Sequence, residues 1–165
     1  MTLAEDSRTA GLRQVAELAA AERYLAVLVT SRGERDPSVC IVNVGILAHP
    51  VTGESVLAFV SRGGTAKLAN LRRSPRAQLV FRSGWEWVGV TGTVELAGPD
   101  DELEGLPADQ HAQLFRDIYH AAGGNHTDLT EYDRVMVAER RTAVLLRPIR
   151  FSSNPPGTDH EEPND

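Results

Sequence analysis

At 165 residues, with 41% hydrophobic and 24% charged residues, the chain has the size and composition of one soluble globular domain with a real core. Its formal net charge of -6 argues against non-specific nucleic-acid binding, and no apolar run approaches the length of a bilayer span. Cys40 is the single cysteine, so an intrachain disulfide is excluded. The start, Met1-Thr2-Leu3-Ala4-Glu5-Asp6, lacks the basic and apolar regions of a signal peptide, which makes the cytoplasm the expected compartment.

Residues 9–22 carry Leu12, Val15, Ala16, Leu18 and Ala19 at helical spacing, which predicts an amphipathic helix. Tyr24 to Thr30 is a short β-branched apolar run and predicts a buried strand. After the Gly33 and Pro37 turn, Ser38 to Leu47 predicts a second strand, and Ser55 to Ser61 a third beyond the turn at 49–54. Connections this short require antiparallel pairing. A short helix follows over 65–73, with Thr65 able to cap it and Pro75 stopping it.

Arg76 to Ser83 predicts a fourth strand, and Trp85 to Ala97 a fifth, joined by a hairpin at Gly84, with Gly89 and Gly92 as bulge or bend points. An acidic loop spans 98–106. Helices are expected over 107–121, starting at Pro107, and from the Asp128-Leu129-Thr130-Glu131 capping box to about Glu139. Arg141 to Phe151 is the sixth strand, where Pro148 implies an edge position or a strand end. Residues 1–157 form one domain, and 158–165 a polar, proline-rich tail expected to be disordered. Six antiparallel strands with one helix between the third and fourth predict a small closed barrel with flanking helices.

The densest basic stretch runs from Ser61 to Arg76 and holds five basic residues, including Lys67, the only lysine, with no acidic one. A strand, a Gly63-Gly64 turn and a helix start follow one another there. Backbone amides at a helix start beside Lys or Arg make an anion site; a solvated, arginine-rich helix face is the alternative. Nucleophilic catalysis has little support: there is no G-x-S-x-G elbow, and Cys40 within an apolar strand reads as a structural thiol. The five histidines show no zinc-site spacing. Trp85 and Trp87 are two apart on one expected strand, facing the same side. They could pack on a planar ligand, on a dimer seam or in the core. An anion site without an evident acid, base or nucleophile points to chemistry carried by a bound cofactor.

Three blocks carry a family resemblance: SRGGTAKLANLRRSPRAQLVF (61–81), GWEWVGVTGTVEL (84–96) and FRDIYHAAGGNHTDLTEYDRVMVAERRTAVLLRPIRF (115–151). Over roughly residues 12–157 the chain resembles the flavin/deazaflavin oxidoreductases, the split β-barrel group that includes pyridoxamine 5′-phosphate oxidase. It is most similar to the actinobacterial branch that uses the deazaflavin coenzyme F420. The resemblance implies a mainly β split barrel with flanking helices, a homodimer with cofactor sites at the interface, and a small-molecule substrate. It places Thr65 and Lys67 at the cofactor phosphate, with Ser61 and Arg62 flanking it and Arg72, Arg73 and Arg76 as further positive charge for an anionic tail. It runs Cys40, Ile41, Val42 and Asn43 under the cofactor ring, and brings Trp85 and Trp87 toward the ring or substrate. Flavin-using oxidases of the group carry an Arg-Gln pair entering the fifth strand. Here that stretch reads Trp85-Glu86-Trp87, which favours F420 over FMN. The expected activity is hydride exchange between F420 and a conjugated organic molecule, with Tyr119, Tyr132 or bound water as the options for a proton donor; the alternatives are an FMN-dependent oxidoreductase and a non-catalytic cofactor- or haem-carrying barrel. Neither nucleic acid nor membrane is an expected partner, and no metal is expected.

Overall fold

A computed structural model describes residues 3–154 of the chain, so the expected tail at 158–165 lies outside the described residues. The elements are α1 (Leu3–Ala21), β1 (Leu25–Arg32), β2 (Arg35–Asn43), β3 (Gly45–Ala48), β4 (Ser55–Ser61), α2 (Ala66–Arg73), β5 (Arg76–Ser83), β6 (Glu86–Ala97), α3 (His111–Ala121), α4 (Leu129–Ala138) and β7 (Thr142–Ser153). A 3-10 turn at Ala108–Gln110 leads into α3. All strand pairs are antiparallel, in the order β2-β1-β5-β6-β7-β4-β3. The two edge strands, β2 and β3, are consecutive in sequence and separated only by Val44, so the sheet must curl until its edges meet. That is a split β-barrel.

The single strand expected over 38–47 is therefore two strands. Val44 still donates its amide to the Tyr24 carbonyl at 2.8 Å, extending the β1–β2 pairing, and Gly45 then pairs with Ala58 of β4. Glycine is needed at this corner because a Cβ on Gly45 would lie 2.6 Å from the backbone of Ala121. The switch of partner closes the barrel and seats the end of α3 against it.

Burial explains why some strands alternate and others read as continuous apolar runs. In β4 and β7 both faces are covered. Leu57, Phe59, Val144 and Leu146 join the inner cluster with α1, while Val56, Ala58, Ala143 and Leu145 join an outer cluster with Leu114, Phe115 and Ile118 of α3. In β1 and β5 the inward residues Leu28, Leu79 and Phe81 are buried, whereas the opposite face of β2 stays open. Helix α1 starts earlier than the predicted residue 9 and buries a stripe at Gly11, Val15, Leu18 and Ala19. Gly11 is small for contact: a Cβ there would sit 2.4 Å from the Phe151 ring.

Pro148 is not on an edge strand, since β7 lies between β6 and β4. It sits beyond Leu146, the last residue of β7 paired with β4, so its missing N–H faces no partner strand. The β6–β7 ladder skips Ile149 at the bulge beside Gly92, where the sequence predicts a bend. Gly84, at φ +56, turns the β5–β6 hairpin. The capping box at α4 is half formed: Asp128 accepts the Glu131 amide at 3.0 Å, but the Glu131 carboxylate binds Arg134. Among the described residues no helix is long and apolar enough to cross a membrane.

Candidate functional site

The segment between β4 and α2 makes a cationic turn with unclaimed donors. Ser61 ends β4 fully inside the fold, and its hydroxyl meets that of Thr65 at 3.1 Å. Thr65 has the extended backbone of an N-cap (φ -80, ψ 151), but its side chain makes no cap hydrogen bond. The sequence predicts a side-chain cap here; the structure spends that hydroxyl on Ser61 instead. The first amides of α2 are thereby left without a side-chain acceptor, and no acidic residue sits in the first turn. Gly63 donates to the Glu139 carbonyl at 3.0 Å, and a Cβ on it would lie 2.6 Å from the Arg140 carbonyl oxygen, so the end of α4 backs the turn tightly. Gly64, at φ +73, faces open space.

A cavity of about 410 Å³ opens beside this turn. The turn contributes Ser61, Arg62 and Lys67. The strand wall is Ile41, Val42 and Asn43, with Phe59 and Val60 beneath. The far wall is helical, with Ile118 and Tyr119 from α3 and Tyr132 and Met136 from α4. Arg141 also lines it and is held by Glu139 at 2.6 Å; among the described residues no carboxylate belongs to the lining. The lining can hold a ligand with an anionic group and an apolar, planar body.

Six of the residues singled out from sequence meet here: Ile41, Val42, Asn43, Ser61, Arg62 and Lys67. Thr65 joins them through Ser61. Asn43 also has a structural task, because its Nδ2 donates to the carbonyls of Arg23 and Ala122, at 3.1 and 3.3 Å. This ties the strand to the left-handed Arg23-Tyr24 corner, at φ 57 and 61, and to the end of α3. Cys40 is half-buried against the inner cluster and lies outside the cavity lining.

Five residues stand elsewhere, the first being Arg76, exposed at the start of β5. Arg72 makes a two-pronged bond with Asp101, at 2.8 and 2.7 Å, and Arg73 donates to Asn70 at 2.7 Å. Trp85 lies in the hairpin turn rather than on β6, 72% exposed, and Trp87 is half-buried with its indole over Gly89. The two indoles therefore do not form the same-strand pair that their spacing predicts.

The helical wall is what the sequence left out, apart from its tyrosines. The Gly123-Gly124 break turns out to seat aromatic rings: a Cβ on Gly123 would lie 2.6 Å from Tyr24, and one on Gly124 2.4 Å from Tyr119. Tyr119 and Tyr132 pack with ring centroids 4.9 Å apart. Tyr132 donates its hydroxyl to the Phe115 carbonyl at 3.0 Å, and burial pushes its pKa up to about 12. Among the described residues no group of His, Cys, Asp and Glu is placed to hold a metal ion.

The sequence pattern of pyridoxamine 5′-phosphate oxidase matches residues 12–150. In fold, the chain is similar to an F420 reductase, at 17% identity over 79% of this chain and 90% of that one, with a TM-score of 0.53. It is similar also to a conserved hypothetical protein from Mycobacterium tuberculosis, at 17% identity over 93% and 84% of the two chains and a TM-score of 0.59. A pyridoxamine 5′-phosphate oxidase-related, FMN-binding protein from Nostoc punctiforme matches at 14% identity over 93% and 84%, with a TM-score of 0.57. At these identities the structural likeness speaks for the fold, and the matched pattern speaks for the family. The chain belongs to the pyridoxamine 5′-phosphate oxidase family of split-barrel proteins.

Proposed function

We propose that the protein is an oxidoreductase that binds coenzyme F420 in the cavity beside α2 and acts on a conjugated small organic molecule. The observation that carries this reading is the polarity of the cavity. Ser61, Arg62 and Lys67 line it, the Thr65 hydroxyl and the first turn of α2 adjoin them, no carboxylate of the described residues lines it, and the remaining lining is apolar or aromatic apart from Asn43 and Arg141. That donor set suits a phosphate, and the apolar remainder suits a planar ring. The deazaflavin, when bound, would supply the hydride-transfer chemistry. The chain's own residues bind and orient: Lys67 and Arg62 hold the anionic end, Ile41 to Asn43 flank the ring, and Phe59, Ile118 and Met136 keep water from it. Tyr132 keeps its proton and spends it on the Phe115 carbonyl. Tyr119 and water are left as proton sources.

F420 is favoured over FMN by the stretch Trp85-Glu86-Trp87, which stands where flavin-using relatives carry an Arg-Gln pair. Arg72 and Arg73 lend no support to an anionic tail, being engaged with Asp101 and Asn70. FMN is the second reading, motivated by an FMN-binding protein of the same fold. Fluorescence titration of the purified protein with each cofactor separates them: tighter binding of F420 is expected, and equal or tighter binding of FMN would overturn the choice.

The reading includes a homodimer. On the open face of the sheet Val39, Ile41 and Leu25 are 61, 60 and 46% exposed, and the register places Ile41 beside Val27 and Asn43 beside Leu25. An apolar patch of this kind marks an association surface. Because Ile41 and Asn43 also line the cavity, a second copy seated there completes its wall.

A further inference from the structure

A second cavity, of about 890 Å³, lies between the segment 98–109 and helices α3 and α4. Its size is that of a small-molecule site. Met136 and Arg141 line both this cavity and the one beside α2, so the two adjoin across the end of α4. Its apolar surface comes from Leu106, Phe115, Met136 and Val137, and Val137 is 78% exposed at the rim.

The two cavities have opposite charge. The first is lined by Arg62, Lys67 and Arg141, with no carboxylate among the described residues. The second has five carboxylates, Asp100, Asp101, Glu102, Asp109 and Asp133, against Arg140, Arg141 and His111. Three of the five are tied to arginines: Asp100 to Arg140, Asp101 to Arg72 and Asp133 to Arg116. Glu102 and Asp109 have no ion pair among the described residues. Beyond these pairs the second cavity keeps an excess of negative charge, carried by the exposed Glu102 and Asp109, which favours a cation there over an anion, while the first favours an anion.

We propose that the second cavity is a substrate chamber that takes a protonated amine with an apolar body. The body packs on Phe115, Met136 and Val137, and the ammonium faces Glu102 and Asp109. The role as substrate chamber rests on reading the first cavity as the cofactor site. Binding itself does not.

The test uses the full chain and 4-phenylbutylamine, with 4-phenylbutyrate as its anionic counterpart. The sequence has two methionines, Met1 and Met136, so a methyl-labelled methionine NMR spectrum contains two signals, one of them in the shared wall. The Met136 signal should move saturably with the amine, and the carboxylate should bind at least about 10-fold more weakly, the scale of two nearby charges in a solvated rim. Glu102→Gln with Asp109→Asn should shrink that preference to about threefold or less. Ala112→Trp, which fills the cavity from an exposed position on α3, should abolish the shift, and Val137→Lys should weaken amine binding as an independent check. No shift in the wild type, equal binding of the carboxylate, or a shift that survives both cavity variants would overturn the proposal. A parallel F420 titration separates the two readings. Amine binding without F420 binding removes the cofactor reading and, with it, the substrate role. F420 binding without an amine shift removes the chamber alone.

Discussion

Replacing Lys67 with alanine should weaken F420 binding roughly 10- to 150-fold. Three cations line the first cavity, and Arg141 is already neutralised by Glu139 at 2.6 Å. Among the described residues Arg62 and Lys67 have no carboxylate partner, and of these Lys67 is half-buried while Arg62 is exposed. A charge-assisted hydrogen bond from such a group contributes about 1.5–3 kcal/mol, and each 1.4 kcal/mol is a factor of ten. Exposed charge would contribute less, so Arg62→Ala should fall near the bottom of the range or below it. The assay is fluorescence titration with F420 at two salt concentrations, after circular dichroism has shown an intact fold. Affinity should drop with added salt in the wild type and less steeply in the variant, because one screened attraction has been removed. Lys67→Arg should recover part of the loss, since the charge is kept in a different geometry. Binding by Lys67→Ala within twofold of the wild type would refute the assignment of the phosphate to this turn.

Three further outcomes concern stability and assembly. His49 is buried with Nδ1 accepting the amides of Val51 and Thr52 at 3.2 Å and Nε2 3.2 Å from Glu95. Burial, with Arg147 nearby, lowers its pKa below the usual 6.5. The unfolded chain then binds the proton more readily, so stability is complete above about pH 6.5 and declines as pH falls toward the folded pKa. His49→Asn, which keeps an acceptor near the Nδ1 position, should flatten the unfolding midpoint between pH 6.5 and 5.5; an unchanged slope there would contradict this account. The Thr142 hydroxyl is buried without a hydrogen-bond partner among the described residues, so Thr142→Val should raise stability by about 1 kcal/mol in urea unfolding, and a destabilised variant would show that the hydroxyl is satisfied. Ile41→Asp places a charge in the exposed apolar face of β2; sedimentation should show a dimeric wild type and a monomeric variant, while a monomeric wild type would dismiss the two-chain site.

What could be read along the chain was what local chemistry decides. Strand and helix periodicity, the Gly84 hairpin, the bend at Gly92 and the cationic turn before α2 all follow from residues within a few positions of one another, and all are present. Antiparallel order followed too, because short connections leave no alternative. The turn with Ser61, Arg62, Thr65 and Lys67 was legible for the same reason: its donors are contiguous, so the fold had only to expose them.

Everything that depended on a distant partner was decided by the tertiary structure. Nothing near Val44 announces that the chain changes neighbours there; the end of α3, nearly eighty residues on, presses on Gly45 and makes the corner. Arg72 looks like Lys67 in sequence, five positions along the same helix, yet it turns to Asp101 while Lys67 turns to the cavity. Thr65 had a helix amide and the Ser61 hydroxyl to choose between and took the hydroxyl. The helical wall with Tyr119 and Met136, and the acid-lined cavity behind it, exist only once α3 and α4 pack across the barrel. Charge type and helical phase are local properties of a side chain, but whether its charge is neutralised or left open to a ligand depends on which distant group the fold brings within about 4 Å of it.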